Sequence, residues 1–147
     1  MTVIIRRMQA GDIPAVAAIE KDNFSEPWSD NGFFTALERE DTVFLVAEDS
    51  VGRIAGYCGF YYSYTDGEIT NVAVDKECRR QGIGRRLLEE IDIICKDKGL
   101  ESLTLEVRFN NEAAVELYKK MGYEEAGIRK NFYVRPTEDA RVMIKNY

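Results

Sequence analysis

Glu106 stands between Leu105 and Val107, a carboxylate inside an apolar, strand-like run. Such a position is costly unless the group is exposed, paired or useful. A half-buried carboxylate has a raised pKa, which suits a general base working near neutrality. Taken by itself, Glu106 reads more simply as the solvent-side residue of an alternating strand or as the partner of Arg108. Tyr118 lies on an apolar stripe with Leu117 and Met121. Most tyrosines so set are core residues with a satisfied hydroxyl; the alternative is a proton donor with a pKa near ~10. Upstream, Arg79-x-x-Gly82-x-Gly84 joins a strand to an amphipathic helix. Glycines there let successive amides converge just ahead of the helix, whose N-terminus adds about half a positive charge, so a pyrophosphate could bind main-chain N–H groups. Arg79, Arg80 and Arg85 add cationic reach. A strand-to-helix turn that needs glycine for shape alone fits equally well. A Walker A loop is excluded for lack of its Gly-Lys-Ser/Thr ending, and a dinucleotide fingerprint needs a third glycine where Leu87 stands.

The 147 residues contain no histidine. That excludes a Ser-His-Asp triad, a Cys-His pair and a His-ligated zinc, so proton transfer falls to carboxylates, tyrosine, lysine, a thiol or water. Cys58, Cys78 and Cys95 are widely spaced and odd in number, which offers neither a disulfide framework nor a Cys-x-x-Cys site. They read as buried thiols of a reducing compartment, and no metal is expected. The net charge of −6, from 26 acids against 20 bases, disfavours nonspecific binding to nucleic acid or an anionic membrane and is compatible with a cationic substrate. No apolar run approaches the ~18 residues of a membrane span, and the opening Met1 to Arg7 is too short for a signal peptide, so the expected address is cytoplasmic.

The elements that must position these residues follow from periodicity. A chain of this length, with no repeat or linker, is read as one domain over residues 1–147. Val3 to Met8 reads as a short edge strand. A helix follows, with Asp12 as N-cap, Pro14 in its first turn and Val16 and Ile19 facing inward. Ser29 caps a second helix carrying Phe33 and Leu37, and Trp28 before it is a packing anchor or a groove lining. Strands are expected at Val43–Glu48, Ile54–Tyr64 and Glu68–Val74, with turns at Asp49–Gly52 and Thr65–Gly67. Leu87, Leu88, Ile91, Ile94 and Cys95 recur at helical spacing within Arg85–Lys98, and Gly99 ends that helix. A strand at Leu103–Val107 precedes a helix capped by Asn110 or Asn111, with Ala114, Leu117, Tyr118 and Met121 on one face and Gly122 as its stop. Strands at Tyr123–Tyr133 and Ala140–Lys145 close an α/β layered fold with a mixed sheet.

The order and spacing of these segments say more than any one of them. Asn71-Val72-Ala73-Val74-Asp75, then Arg79 to Gly84, then Leu105-Glu106-Val107-Arg108, then Asn111 through Leu117-Tyr118 and Gly122-Tyr123 resemble the GCN5-related N-acetyltransferase superfamily, nearly end to end. More narrowly, Phe24-Ser25-Glu26-Pro27-Trp28-Ser29, Arg129-Lys130-Asn131-Phe132-Tyr133 and Glu138-Asp139-Ala140 are similar to the bacterial ribosomal-protein-alanine N-acetyltransferases. The resemblance implies a mixed, mostly antiparallel sheet of about six or seven strands with about four helices and splayed central strands. It implies acetyl-CoA as donor, with the pantetheine arm along the backbone of Val72, Ala73 and Val74. The pyrophosphate would sit on Arg80, Gln81, Gly82, Ile83, Gly84 and Arg85, and Asn111 at the pantetheine or thiol end. Glu106 matches the general base and Tyr118 the general acid. The implied acceptor is the N-terminal alanine of the eighteenth small-subunit ribosomal protein, taken up as a peptide by a monomer or weak homodimer. Broader N-terminal or small-amine acetylation and a silent acyl-CoA module are the alternatives. Val134-Arg135-Pro136-Thr137 departs from the Tyr-Tyr-Pro arrangement of that narrower family and is expected to border the peptide cleft.

Overall fold

The computed structural model describes residues 2–147. Its elements in chain order are β1 (Val3–Arg7), α1 (Ile13–Asn23), α2 (Asp30–Glu38), β2 (Thr42–Asp49), β3 (Ile54–Ser63), β4 (Asp66–Val74), α3 (Ile83–Lys98), β5 (Ser102–Arg108), α4 (Glu112–Lys120), β6 (Glu124–Tyr133) and β7 (Glu138–Asn146). The strands form one sheet in the order β1-β2-β3-β4-β5-β7-β6. Every neighbouring pair is antiparallel except β4 and β5, which α3 connects as a crossover. Leu87, Leu88 and Ile91 of α3 and Val115 of α4 pack on one face with Leu103, Leu105 and Val107. Ile13, Val16 and Ile19 of α1 and Phe33 of α2 cover the other face with Phe44, Val46 and Tyr57. β3 is buried on both faces from Ile54 to Phe60, so it reads as a continuous apolar run.

Two irregularities of β4 create the site. Its parallel pairing with β5 covers only Asp66–Ser102, Gly67–Leu103 and Glu68–Thr104. Beyond Glu68 the strands run on unpaired, and the edge of β4 from Ile69 to Val74 is left open toward β5. The same stretch carries a bulge against β3, because Gly59 pairs with Asn71 and Phe60 with Ile69, leaving Thr70 as the extra residue. A bulge shifts the two-residue alternation by one. Ile69 lies in the core under α3 and α4, as do Val72 and Val74 beyond it, whereas Asn71 and Ala73 turn to the α1 face.

Several boundaries differ from the expectations. The β3–β4 turn is Tyr64–Thr65 and not Thr65–Gly67, because Asp66 and Gly67 already pair with Ser63 and Tyr62; Tyr64 takes the positive φ of 55°. α3 starts at Ile83, two residues early, since Gly82 ends the preceding loop in a left-handed conformation at φ 77°. Asp12 does not cap α1 with its side chain; it accepts from the Gln9 amide at 2.8 Å and pairs with Arg6 at 2.8 Å. On α4 the inward residues are Val115 and Tyr118, with Ala114, Leu117 and Met121 at the core's margin. Ser29 does cap α2, accepting from the Gly32 amide at 3.1 Å, and Gly99 ends α3 at φ 75°.

Gly59 faces the bulge and lies flush against the buried ring of Phe44, which a Cβ at this position would overlap. Phe44 cannot retreat, being 4% exposed and packed against Trp28 and Phe33 at 5.8 and 6.3 Å. Gly59→Ala is expected to destabilise the fold by about 1–3 kcal/mol. Thermal unfolding should register this as a loss of roughly 2–4 °C per kcal/mol for a chain of this length.

Candidate active site

The fork between β4 and β5 opens a cleft of about 550 Å³ lined by α1, the 24–28 loop, both strands, α4 and the β6–β7 hairpin. Alternation on β5 sends Leu103, Leu105 and Val107 into the core under α3 and α4 and leaves Thr104, Glu106 and Arg108 on the opposite, α1 face. Tyr118 reaches the cleft from α4, on the other side of the sheet. The cleft thus runs through the sheet, with a carboxylate on one face and a phenol on the other.

Glu106 retains 15% side-chain exposure and lies 3.5 Å from the Arg129 guanidinium. Glu68, at the last paired position of β4, faces it and accepts a hydrogen bond from the Tyr61 hydroxyl. Burial first, then the charge of Glu68 and hydrogen bonding to it, raise the Glu106 pKa above the usual carboxylate value, against the smaller opposing effect of Arg129. Glu106 is therefore neither a solvent-side residue nor the partner of Arg108, which pairs with Glu138 at 3.0 Å. Burial pushes the Tyr118 hydroxyl well above the ordinary phenol range, so it keeps its proton at neutral pH. Its ring packs edge-on to Tyr123 at 5.7 Å.

The loop from Arg79 to Gly84 shows what each glycine does. Gly82 adopts the left-handed conformation that a side chain would strain. The amides of Gly82, Ile83, Gly84 and Arg85 find no acceptor among the described residues. Gly84 also serves packing, because a Cβ there would meet Leu117 at 3.3 Å and hold α3 away from α4. Arg79 donates to the Asn23 side-chain oxygen at 2.8 Å, while Arg80 and Arg85 are exposed beside the loop, Arg85 lying 4.0 Å from Glu89. The cleft brings together Val72, Glu106, Asn111 and Tyr118. Ala73, Val74 and Arg80 through Arg85 lie outside its lining. Asn111 both lines it and caps α4, accepting from the Ala114 amide at 3.3 Å.

Four further residues were not legible as site residues. Glu68 reaches Glu106 only through strand register. Glu20 of α1 is 2% exposed and accepts from the Tyr57 hydroxyl, the Trp28 amide at 2.8 Å and the Asn71 amide nitrogen at 3.1 Å. Asn71 lines the cleft beside it. Arg108 donates to Glu138 and the Pro136 carbonyl at 3.0 Å and to Ser25 and the Val134 carbonyl at 3.1 Å, under the Tyr133 ring. It binds the 24–28 loop to the β6–β7 hairpin, and of the departing segment Val134–Thr137 it is Val134 that lines the cleft. Burial lifts Tyr133 to about 12. Cys58, Cys78 and Cys95 are free and buried, and burial raises all three thiols, which leaves none activated as a nucleophile. Among the described residues no group of three or more His, Cys, Asp or Glu could hold a metal ion, and no helix is long and apolar enough to cross a membrane.

Comparison with known proteins decides the family. The model of the acetyltransferase (GNAT) family matches residues 13–123. This chain is a GNAT-family acyltransferase. A Bacillus subtilis (strain 168) protein named, provisionally, as a [ribosomal protein bS18]-alanine N-acetyltransferase is 41% identical over 140 residues, covering 95% of this chain and 92% of its own. The crystal structure of the ribosomal-protein-S18-alanine N-acetyltransferase from Escherichia coli superposes with a TM-score of 0.90 at 32% identity, over 99% of this chain and 94% of that one. Ard1 from Thermoplasma volcanium superposes with a TM-score of 0.91 at 27% identity, over 99% and 98%. The GNAT fold, with seven strands, four α-helices and splayed β4 and β5, is the architecture expected from the resemblance.

Proposed function

We propose that this GNAT acyltransferase acetylates the N-terminal α-amine of a protein, the N-terminal alanine of ribosomal protein bS18, using acetyl-CoA, with residues 1–147 acting as one catalytic domain in the cytoplasm. The observation that carries the reading is the through-sheet cleft, with Glu106 and Tyr118 on its opposite sides. The residues present fit the donor: free amides at Gly82 to Arg85 suit a diphosphate, and the unpaired edge of β4 around Val72, Ala73 and Val74 suits the amide-bearing arm. Arg80, Gln81 and Arg85 would flank the diphosphate, and Asn111 would hold the thiol end. When bound, acetyl-CoA supplies an acetyl group activated as a thioester. Glu106 takes the proton that the α-ammonium must lose before it can attack. Tyr118 gives its hydroxyl proton to the departing sulfur. An α-amine with a pKa near 7.7–8.0 is cheaper to deprotonate than a lysine near 10.4, by roughly 3.5 kcal/mol. That difference favours a terminal amine, as do the names of the relatives above.

Incubation with acetyl-CoA and a panel of Ala-starting peptides, other N-terminal peptides and polyamines tests the acceptor. Faster turnover of the bS18 N-terminal peptide than of any small amine is expected; the reverse order would remove the peptide reading. Arg108 supports the peptide wall. Arg108→Lys keeps the charge but loses the planar fork of donors. It should raise KM for the peptide by about tenfold while leaving KM for acetyl-CoA unchanged, in steady-state kinetics with each substrate varied in turn.

A further inference from the structure

The α1 face of the cleft holds a polar atom that the fold leaves without a partner. Asn71 is 4% exposed, lines the cleft, and its side-chain oxygen Oδ1 accepts no hydrogen bond among the described residues. A buried acceptor without a donor is costly, and native folds retain few of them. Its orientation is dictated by its neighbour. Glu20, as a carboxylate, can only accept, and the Tyr57 hydroxyl and the Trp28 amide fix it in turn. Asn71 must therefore present Nδ2 to Glu20, at 3.1 Å, and turn Oδ1 elsewhere. The bulge at Thr70 is what sends Asn71 to this face, the one that carries Glu106 and Glu68. Continuing the Glu68–Thr104 register along the diverging strands sets Asn71 across the cleft from the Glu106–Val107 stretch.

We infer that Asn71 Oδ1 accepts an N–H of the substrate's primary amine and so positions the nitrogen while Glu106 takes another of its protons. This rests on the amine-acetylation reading above and adds the residue that orients the nucleophile. A primary ammonium has three N–H bonds. With one proton given up to Glu106 and a second N–H held by Asn71, the amine turns about that held N–H to aim its freed lone pair at the thioester on the opposite face of the sheet. There the new N–C bond forms and the C–S bond breaks. Tyr118 protonates the departing thiolate and regains its proton from solvent. The second proton that the nitrogen sheds to become an amide passes to Glu106, which has released the first to solvent, leaving on the nitrogen the N–H that Asn71 holds. Glu20 acts through Asn71 by fixing which end of the amide faces the amine.

The test compares an Ala-starting peptide with the same peptide carrying a single N-methyl group on its α-nitrogen, on the intact protein and on Asn71→Leu. Asn71→Ala gives the same comparison should leucine unfold the chain. Acetyl-CoA affinity by calorimetry and the unfolding midpoint serve as controls. The unmodified protein should prefer the primary amine, and its kcat/KM with that substrate should fall about 10- to 100-fold in either variant. The preference itself should shrink by at least about tenfold in the variants, because the N–H that methylation removes then has no acceptor to lose. An unchanged preference ratio in the variants would overturn the role of Asn71 while leaving the peptide reading intact. Failure of the unmodified protein to acetylate either peptide would overturn both.

Discussion

Glu106→Gln is expected to lower kcat/KM for an α-amine by about 10²–10⁴-fold and leave acetyl-CoA affinity within about twofold. Glutamine keeps the shape and can donate to Glu68, so the fork between β4 and β5 should hold. What disappears is a carboxylate on the α1 face that is buried enough to have a raised pKa and open enough to meet an amine. The pH profile gives the sharper signature. The proposed base works as the carboxylate, so activity is lost as pH falls through its folded pKa. That pKa is raised by burial and by Glu68, so the acidic limb should lie above the ordinary carboxylate value of about 4.3. In Glu106→Gln this limb should vanish from the residual activity. A full rate with the limb unchanged would remove Glu106 from the mechanism.

Tyr118→Phe should lower kcat by about 10²-fold or more with little change in peptide KM, since proton donation to the sulfur matters only as the C–S bond breaks. The ring would stay in its site: packing on Tyr123 and burial under α4 do not depend on the hydroxyl. Because burial raises the Tyr118 pKa, the phenol remains protonated through neutral and mildly alkaline pH. No alkaline limb from Tyr118 is therefore expected in that range. A donor with a better leaving thiol should recover part of the lost rate in Tyr118→Phe and none in Glu106→Gln. Stopped-flow or steady-state rates with two acyl donors check this split.

Most of the architecture was legible in the sequence because each element has a local cause. Ser29, Asn111 and Gly99 mark helix ends by capping chemistry and positive φ, and the apolar stripe from Leu87 to Cys95 fixes the buried face of α3. The boundary errors have equally local causes. Asp66 and Gly67 look like turn residues but are drawn into the ladder by Ser63 and Tyr62. Asp12 does stand at the N-cap position of α1, as expected, but its side chain pairs with Arg6 and makes no capping hydrogen bond. The site was only half legible. Glu106, Tyr118 and the glycines of the loop carry motif spacing, whereas Glu68, Glu20, Asn71 and the Arg108 clamp acquire their surroundings from the parallel register, the Thr70 bulge and loops distant in sequence. No periodicity within one segment encodes those meetings.

The central claim is that the donor and the amine approach from opposite faces of the sheet and meet where β4 parts from β5. Its most direct test is the affinity of a conjugate that joins the sulfur of coenzyme A through an acetyl linker to the N-terminus of the bS18 peptide. Linking the two ligands should give a Kd about 10²–10⁴-fold below that of coenzyme A alone, with Glu106→Gln retaining most of the gain. A conjugate that binds no more tightly than coenzyme A itself would contradict the account.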